Sequence, residues 1–224
     1  MKNSVKQMLQ EIQHDAKYTR SMTGIEKFKD DVLSAFSKVP RDAFVPDHLK
    51  YRAFQNSPLP IGHGQTISQP YIVALMTELL DIKPDHIILE IGTGSGYQSA
   101  ILSTLCKKVY TMELITELSI SAKKRFEELH YENIEAFPGN GYEGCPQHAP
   151  YDGIIVTAAA THIPEPLITQ LKAGGKLVIP VGISGMHQEL MLLEKDLNGN
   201  TQVRSILGVV FVPLIDAPVE NNFK

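Results

Sequence analysis

Short apolar strands alternate with helical stretches between residues 86 and 181, and this alternation constrains the fold more than any other feature of the 224-residue chain. The predicted strands are 86–91, 108–112, 134–137, 153–157 and 176–181, and the predicted helices are 97–107, 116–129 and 165–171. Parallel strands need crossover connections, which are usually helices, so this order favours a mainly parallel sheet covered on both faces. We therefore expect a doubly wound α/β core over residues 84–182.

The residues before this core are predicted to be helical. Apolar side chains recur at steps of three and four over residues 5–12 and 25–39, which predicts two amphipathic helices, the second stopped by Pro40. Both apolar stripes need a larger surface to pack against. Residues 1–83 are therefore expected to form a helical cap on the core.

The Pro- and Gly-rich segment 57–70 (SPLPIGHGQTISQP) is predicted to be a loop of fixed shape, because it has no sustained period. A helix is predicted to begin at Pro70 and to end before Pro84, with Ser68 or Thr66 as its N-cap.

Two further strands are predicted at 189–194 and 202–212, with Asn198-Gly199 at the turn between them. They would close one edge of the sheet in antiparallel fashion. The chain is thus expected to form a single domain, with cap 1–83, core 84–182 and C-terminal strands 183–224.

Charge and composition disfavour several classes of protein. Lys and Arg number 21 against 25 Asp and Glu, which argues against a basic surface for nucleic acid. The N-terminal segment has no apolar stretch of signal-peptide length, and the longest apolar run, 207–215, is interrupted by Pro213. Cys106 and Cys145 form no close pair of the kind found in zinc motifs or disulfide frameworks. We expect a cytoplasmic protein that binds neither membrane nor nucleic acid.

Ligands of open parallel sheets bind beyond the carboxyl ends of the strands, so the segments that follow the strands are candidate binding loops. After the first strand, Gly92, Gly94 and Gly96 stand at alternate positions, which allows close approach of the backbone to a ligand. The dinucleotide fingerprint has its third glycine where this chain has Tyr97, so a nicotinamide or flavin site is disfavoured. A tight turn without a ligand is the alternative.

Three further segments follow predicted strands. Glu113 can accept two hydrogen bonds from a ribose diol, or it can be a capping or solvated glutamate. Asn140-Gly141 can face an adenine edge or form an ordinary turn, and the small residues after Thr157 can leave space for a pocket or simply pack. The histidines have no metal-ligand spacing and no Gly-x-Ser-x-Gly motif occurs, so we expect no metal site and no hydrolase.

Together these features resemble S-adenosylmethionine-dependent methyltransferases, whose core is a Rossmann-like methyltransferase sheet, and LKAGGKL at 171–177 is similar to the family's turn into its fifth strand. More specifically, VPRDAFVP at 39–46, LPIGHGQTISQP at 59–70 and VFVPL at 210–214 resemble the protein-L-isoaspartate O-methyltransferases. The resemblance covers nearly the whole chain. It implies methyl transfer from S-adenosylmethionine to the free α-carboxylate of L-isoaspartyl residues in damaged proteins and peptides. The ester then collapses to a succinimide, which initiates repair.

The resemblance also implies roles for individual residues, and Ser68 matches the active-site serine. Where the family usually has Gly-Asp-Gly, this chain has Asn140 between two glycines, which keeps a carbonyl acceptor for the adenine amino group but loses the charge. Cofactor contacts are implied for Gln65, Thr66, Ile67, Gly92, Gly94, Ser95, Glu113, Asn140 and Gly141, and substrate contacts for Ile61, His63, Val212, Pro213 and Leu214. For His63, a loop histidine that is hydrogen-bonded to the backbone is the alternative.

The lack of a general base agrees with this chemistry. A carboxylate with a pKa of about 4 is already ionised and nucleophilic at neutral pH. The enzyme must align it with the methyl donor, and Ser68 lies just before a predicted helix whose N-terminal dipole attracts a carboxylate. A plain N-cap role for Ser68 is the alternative, and the two roles can coexist.

Other functions stay open at this stage. A methyltransferase for a different carboxylate acceptor would need the glycine loop and Glu113 but not the motifs at 59–70 and 210–214. A dinucleotide-dependent oxidoreductase is disfavoured by Tyr97, and a non-catalytic regulator predicts cofactor binding without turnover. We expect a monomer, since varied protein segments suit an open cleft.

Overall fold

The computed structural model describes residues 2–183 and 185–216. The strands are β1 (Leu59–Gly62), β2 (Gln65–Ile67), β3 (Ile87–Ile91), β4 (Lys108–Glu113), β5 (Ile134–Pro138), β6 (Tyr151–Val156), β7 (Leu171–Gly182), β8 (Gln188–Lys195) and β9 (Thr201–Val209). Seven of them form one sheet in the order β5-β4-β3-β6-β7-β8-β9. Strands β5 to β7 of this order run parallel, whereas β8 and β9 add an antiparallel edge. The predicted fold class is therefore confirmed.

Helices cover both faces of this sheet. They are α1 (Lys2–Thr23), α2 (Asp30–Lys38), α3 (Pro70–Leu79), α4 (Tyr97–Ser103), α5 (Thr116–Glu128) and α6 (Glu165–Gln170). One apolar cluster joins α1 to α5 to a face that includes Ile88 and Ile155, and a second cluster joins α6 to the face with Leu89 and Ile154. Adjacent residues of β3 and β6 thus belong to opposite clusters, as the two-residue period of a strand requires.

The segment 57–70 contains regular structure that its sequence pattern does not predict. Strands β1 and β2 pair as an antiparallel hairpin, with a register irregularity between Pro60 and Gly62. These strands are too short, and too rich in Pro and Gly, to show an alternating pattern.

The start of α3 also differs from the prediction. The N-cap residue is Gln69, and no side chain caps the helix from that position. Instead, Oδ1 of Asn56 accepts a hydrogen bond of 3.0 Å from the amide of Tyr71. The prediction that Ser68 or Thr66 caps α3 was therefore wrong, because a side chain from a distant part of the cap takes that place.

The last predicted strand was too long, since β9 ends at Val209 and not at residue 212. The side chain of Gln188 explains the early end: its Oε1 accepts from the amide of Phe211 at 2.6 Å, and its Nε2 donates to the carbonyl of Phe211 at 3.1 Å. The side chain of Gln188 thereby makes the hydrogen bonds to Phe211 that a neighbouring strand would otherwise make. Beyond this point the chain crosses to Ala159, which forms a parallel bridge with Pro213.

In the part of the chain that the structure describes, no helix has the length and apolar character needed to cross a membrane.

Candidate active site

Two cavities lie next to each other near the carboxyl ends of β3, β4 and β6, where ligands of open α/β sheets bind. The narrow cavity has a volume of about 60 Å³ and is lined by the glycine loop after β3, the end of β4, the 139–141 turn and residues 212–215. The wide cleft has a volume of about 700 Å³. Its walls come from α1, the start of α3 and the chain at the end of β9.

The two cavities share three lining residues, Thr66, Thr157 and Val212. These residues come from β2, from the loop after β6 and from the segment after β9. The Thr157 hydroxyl is fixed, because it donates to the carbonyls of Gly92 at 2.7 Å and Ile91 at 3.1 Å. A group bound in the narrow cavity therefore meets a group bound in the wide cleft at this junction.

The glycine loop is shaped by close approaches that exclude larger residues. Gly92 has φ +94°, and a Cβ atom there would lie 2.5 Å from Oγ1 of Thr157. Gly96 precedes α4 with φ +86°, and its Cβ would lie 2.6 Å from the ring of Phe126. Both positions require glycine for backbone conformation and for space. The loop is a binding surface too, because Gly92 and Gly94 line the narrow cavity.

Glu113 ends β4 beside this loop, and its side chain is only slightly exposed. Its Oε2 accepts from the amide of Gly94 at 2.8 Å, and its Oε1 accepts from the amide of Ile115 at 2.9 Å. Ile115 is the N-cap residue of α5, so the carboxylate also supports the start of that helix. Glu113 lines the narrow cavity, as its expected contact with a ribose requires.

The 139–141 turn lines the narrow cavity through its two glycines. A Cβ on Gly141 would lie 2.3 Å from Cγ2 of Ile91, so glycine is required there as well. The Asn140 side chain is turned to its own loop, where Oδ1 accepts from the amide of Tyr142 at 3.0 Å. Its Nδ2 lies 3.5 Å from Oε1 of Glu143.

The remaining predicted cofactor contacts divide into two groups. Gln65 and Thr66 line the narrow cavity. Ile67 is buried, and the Ser95 hydroxyl accepts from the amide of Tyr97 at 3.3 Å, where α4 begins. Neither Ile67 nor Ser95 is among the residues that line the two cavities.

The predicted substrate contacts are likewise divided. Ser68 lines the wide cleft, and Val212 lines both cavities, whereas Pro213 and Leu214 line only the narrow one. Leu214 is held by its amide, which donates to the carbonyl of Ala159 at 2.8 Å.

Two predicted contacts lie on the β1–β2 hairpin, outside both cavities. Cδ1 of Ile61 comes within 3.5 Å of where a Cβ on Gly94 would stand, so the hairpin packs on the glycine loop. His63 is exposed in the hairpin turn with φ +53°.

Some residues of the site were not predicted from the sequence. Asp15, Tyr18 and Thr19 of α1 form one wall of the wide cleft. No local motif marks them, because the contact joins parts of the chain about fifty residues apart. Arg41 lies within the motif at 39–46 and was not predicted as a site residue, yet its side chain is completely buried and donates to the carbonyl of Ser68.

Glu90 lies in the strand that leads into the glycine loop, and it is completely buried. Burial raises the pKa of Glu90 to about 8, although the hydroxyls of Ser99 and Thr111 donate to its Oε2 and partly oppose this rise. The glycine loop therefore begins beside a carboxyl group that is largely protonated at neutral pH.

Comparisons with known proteins agree with the motifs and the fold. The family model for protein-L-isoaspartate(D-aspartate) O-methyltransferase matches residues 11–218. The protein-L-isoaspartate O-methyltransferase 2 of Polaromonas sp. (strain JS666) is 54% identical over 207 residues, which cover 92% of this chain and 98% of that protein. The corresponding protein of Nitrosococcus oceani is 54% identical over 211 residues, with 94% and 96% covered.

A solved protein-L-isoaspartate O-methyltransferase superposes with a TM-score of 0.80 at 27% identity, over 93% of this chain and 65% of that longer chain. The match thus extends over the cap, the core and the antiparallel edge. This chain belongs to the protein-L-isoaspartate(D-aspartate) O-methyltransferase family.

Proposed function

We propose that this chain transfers the methyl group of S-adenosylmethionine to the free α-carboxylate of L-isoaspartyl residues in damaged proteins and peptides. The observation that carries the proposal is the junction of the two cavities at Thr66, Thr157 and Val212, with Ser68 on the side of the wide cleft. A donor and an acceptor bound on either side of this junction are brought together for transfer.

The residues around the narrow cavity fit S-adenosylmethionine. The buried Glu113 carboxylate is an acceptor for a ribose diol, and the glycines at 92, 94, 139 and 141 leave backbone uncovered where side chains would fill the space. Gln65 and Thr66 line the same cavity. When bound, this cofactor supplies an electrophilic methyl group on a positively charged sulfur.

The narrow cavity is by itself too small for such a ligand. Sites for small molecules usually have volumes of roughly 300–1,000 Å³, whereas this cavity measures about 60 Å³. Its walls include the β2 residues Gln65 and Thr66 and the segment 212–215. A bound cofactor of this size therefore extends the cavity, either into the adjoining wide cleft or by displacement of the hairpin or of this segment.

The acceptor needs alignment and not activation, because its carboxylate is ionised at neutral pH. Ser68 is placed to orient it, and the N-terminal end of α3 adds a positive dipole. The amide of Tyr71 contributes little, since it is already bonded to Asn56. Transfer converts an anion and a cation into two neutral products, so a site that excludes water favours it.

The cleft also fits a protein substrate. At about 700 Å³ it is much larger than one isoaspartyl side chain. Tyr18 and Val210 on its walls are 80% and 92% exposed, so they can contact residues that flank the isoaspartyl site. Among the described residues, no Lys or Arg lines either cavity. The positive charge facing the acceptor then comes from the helix dipole and the bound sulfonium.

The predicted roles of the remaining residues are part of the proposal. Asn140, whose side chain faces its own loop and does not line the narrow cavity, accepts from the adenine amino group when it turns toward the cavity. The segment Val212, Pro213 and Leu214 lies along the substrate. Ile67 and Ser95, which were predicted to contact the cofactor, line neither cavity, and we propose instead that they shape the two loops. We further propose that the chain works in the cytoplasm as a monomer and without nucleic acid. Its open cleft and its net charge of −4 support these points.

Transfer of labelled methyl to matched peptides tests the proposal. Three acceptors are compared: a peptide with one L-isoaspartyl residue, the same peptide with aspartate, and a small free carboxylate. We expect base-labile label on the isoaspartyl peptide alone. Label on the small carboxylate but not on the peptides would replace the proposal with a methyltransferase for a different carboxylate acceptor.

A further inference from the structure

Arg41 is a completely buried arginine that contacts the acceptor side of the site through the main chain. Its Nη2 donates to the carbonyl of Ser68 at 2.8 Å, and its Nε donates to the carbonyl of Ala53 at 2.8 Å. Burying a guanidinium is costly unless its donors are satisfied, and among the described residues Nη1 of Arg41 has no hydrogen-bond partner. Replacing a buried charged group with an apolar side chain is often neutral or stabilising, so Arg41 is a candidate for a role beyond stability.

The two bonds connect segments that are far apart in the chain. Ala53 follows the second of two short 3₁₀ helices in the cap, Arg41–Phe44 and Asp47–Arg52, and Ser68 lies between β2 and α3. One planar guanidinium thus fixes the backbone of Ser68 relative to the cap. The fork geometry of Arg suits two carbonyls at once, whereas the ammonium of Lys is a single point of attachment.

The same guanidinium also contacts the cofactor side. Its Cζ lies 4.7 Å from the centre of the Tyr97 ring, and Tyr97 is the first residue of α4, directly after the glycine loop. Tyr97 is itself buried. The arginine therefore lies between the loop that carries Ser68 and the loop that carries Gly92 and Gly94.

A second arginine supports the cofactor side of this arrangement. Arg125 of α5 lies over the ring of Phe44 and donates to the carbonyl of Ser95 at 2.8 Å. The rings of Phe44 and Tyr97 are in edge contact, with their centres 5.6 Å apart. Arg41 packs on Tyr97 and holds the loop with Ser68, whereas Arg125 packs on Phe44 and holds the glycine loop. The two rings are in contact with each other.

We propose that Arg41 is a positioning residue for the methyl acceptor, which fixes Ser68 in register with the glycine loop because its guanidinium binds the Ser68 carbonyl while it packs on the Tyr97 ring. This inference rests on the proposed function, because Ser68 is there the residue that orients the acceptor. Its effect is expected on the rate of transfer and not on cofactor affinity.

The test compares Arg41→Lys with Arg52→Lys, a matched control in the same part of the cap whose side chain bonds only to Gln55 in the structure. The turnover number for an isoaspartyl peptide is normalised to the fraction of protein that binds S-adenosylhomocysteine. We expect Arg41→Lys to lower it about 10- to 100-fold, since a shift of the order of 1 Å has effects of this size. The control stays within about twofold of the unchanged enzyme, as expected for a surface change.

A double-mutant cycle separates positioning from a general loss of structure. If Arg41 acts through Ser68, Arg41→Lys has little further effect in a Ser68→Ala background, because the two changes remove one interaction. Two outcomes would overturn the proposal. One is a double variant whose loss of turnover equals the product of the two single losses, and the other is an unchanged normalised turnover in Arg41→Lys.

A second measurement does not need activity. Hydrogen exchange of the amides at 69–73 in the S-adenosylhomocysteine complex is expected to be faster in Arg41→Lys than in Arg52→Lys, and equal rates count against the proposal. If Arg41→Lys does not accumulate, Arg41→Gln, which can still donate to one carbonyl, is measured in the same way. Absence of transfer by the unchanged enzyme, with the exchange difference present, would refute the proposed function and leave the restraint on Ser68 intact.

Discussion

Oε2 of Glu113 accepts a hydrogen bond of 2.8 Å from the amide of Gly94, so the end of β4 holds the glycine loop that follows the neighbouring strand β3. The carboxylate is nearly buried and lines the narrow cavity. The same group that shapes the loop is therefore available to a bound nucleoside, which links the conformation of the loop to cofactor binding.

Replacing Glu113 with Gln is expected to weaken binding of S-adenosylmethionine and S-adenosylhomocysteine. Hydrogen bonds to a charged group are worth about 1.5–3 kcal/mol against about 1 kcal/mol for neutral ones, so we expect a loss of roughly 2- to 30-fold. Isothermal titration calorimetry with S-adenosylhomocysteine measures this loss of affinity. Glu117→Gln, an exposed glutamate in the first turn of α5, is the control. Equal affinities of the two variants would exclude a ribose contact at Glu113.

Replacing Gly92 with Ala is expected to disrupt the junction of the two cavities. The new Cβ would stand 2.5 Å from Oγ1 of Thr157, and the positive φ adds strain of about 1–3 kcal/mol. We expect the affinity for S-adenosylhomocysteine to fall by more than about tenfold. This corresponds to a loss of about 1.4 kcal/mol or more of binding free energy, because the cavity wall is displaced.

Gly199→Ala is the matched control for that change, because Gly199 has φ +88° but no atom within 4 Å of its Cβ. It carries the backbone strain without the collision, and it lies in the hairpin turn between β8 and β9. We expect the free energy of unfolding of Gly199→Ala, measured in urea, to fall, while its affinity for S-adenosylhomocysteine stays unchanged. Similar losses of affinity in both variants would assign the effect to general strain.

Asn140, where the sequence resemblance leads us to expect Asp, lies beside Glu143. Nδ2 of Asn140 lies 3.5 Å from Oε1 of Glu143, so an Asp at 140 would place two carboxylates side by side. We expect Asn140→Asp with Glu143→Gln to bind S-adenosylhomocysteine about fivefold more tightly than the unchanged chain, through a charged acceptor for the adenine amino group. Asn140→Asp alone gains less, and Glu143→Gln alone is the control. No gain in the double variant would show that residue 140 does not contact adenine.

The raised pKa of Glu90 predicts that the stability of the protein falls as the pH rises. Burial raises its pKa from the ordinary 4.5 to about 8, so the folded state holds a proton that the unfolded state releases. The stabilisation is complete below about pH 4.5 and is lost as the pH rises through about 8, with a slope approaching 1.4 kcal/mol per pH unit.

Glu90→Gln removes this ionisation, and Glu135→Gln, an exposed member of the Lys108 ion pair, is the control. Urea unfolding of the three proteins from pH 5 to pH 8.5 measures the difference. We expect the free energy of unfolding of Glu90→Gln to fall less over this range than that of the unchanged chain. Parallel curves for the two would show that Glu90 is ionised in the folded state.

The order of strands and helices could be predicted from the sequence because each element shows its own period. The hairpin of β1 and β2 could not, since strands as short as Gln65–Ile67 show no alternation. The end of β9 depends on Gln188, whose amide group captures Phe211 from 23 residues away. Such long-range polar contacts have no local signal.

The candidate site, like the fold, has parts that could be predicted from the sequence and parts that could not. Residues directly after strands, such as Glu113 and Gly141, could be found by the rule that ligands bind at carboxyl ends. The wall that α1 contributes depends on how the cap packs, and the burial of Arg41 depends on Ala53, Ser68 and Tyr97 together. Neither follows from spacing.

The most direct test of the site is single-turnover methyl transfer to an isoaspartyl peptide by Ser68→Ala, with Ser37→Ala of α2 as the control. Ser68 lines the wide cleft beside the junction of the two cavities. We predict that the transfer rate of Ser68→Ala falls by about 10- to 100-fold through lost alignment, while S-adenosylhomocysteine affinity stays within about twofold. An unchanged transfer rate would show that the acceptor does not bind at Ser68 and would contradict the account.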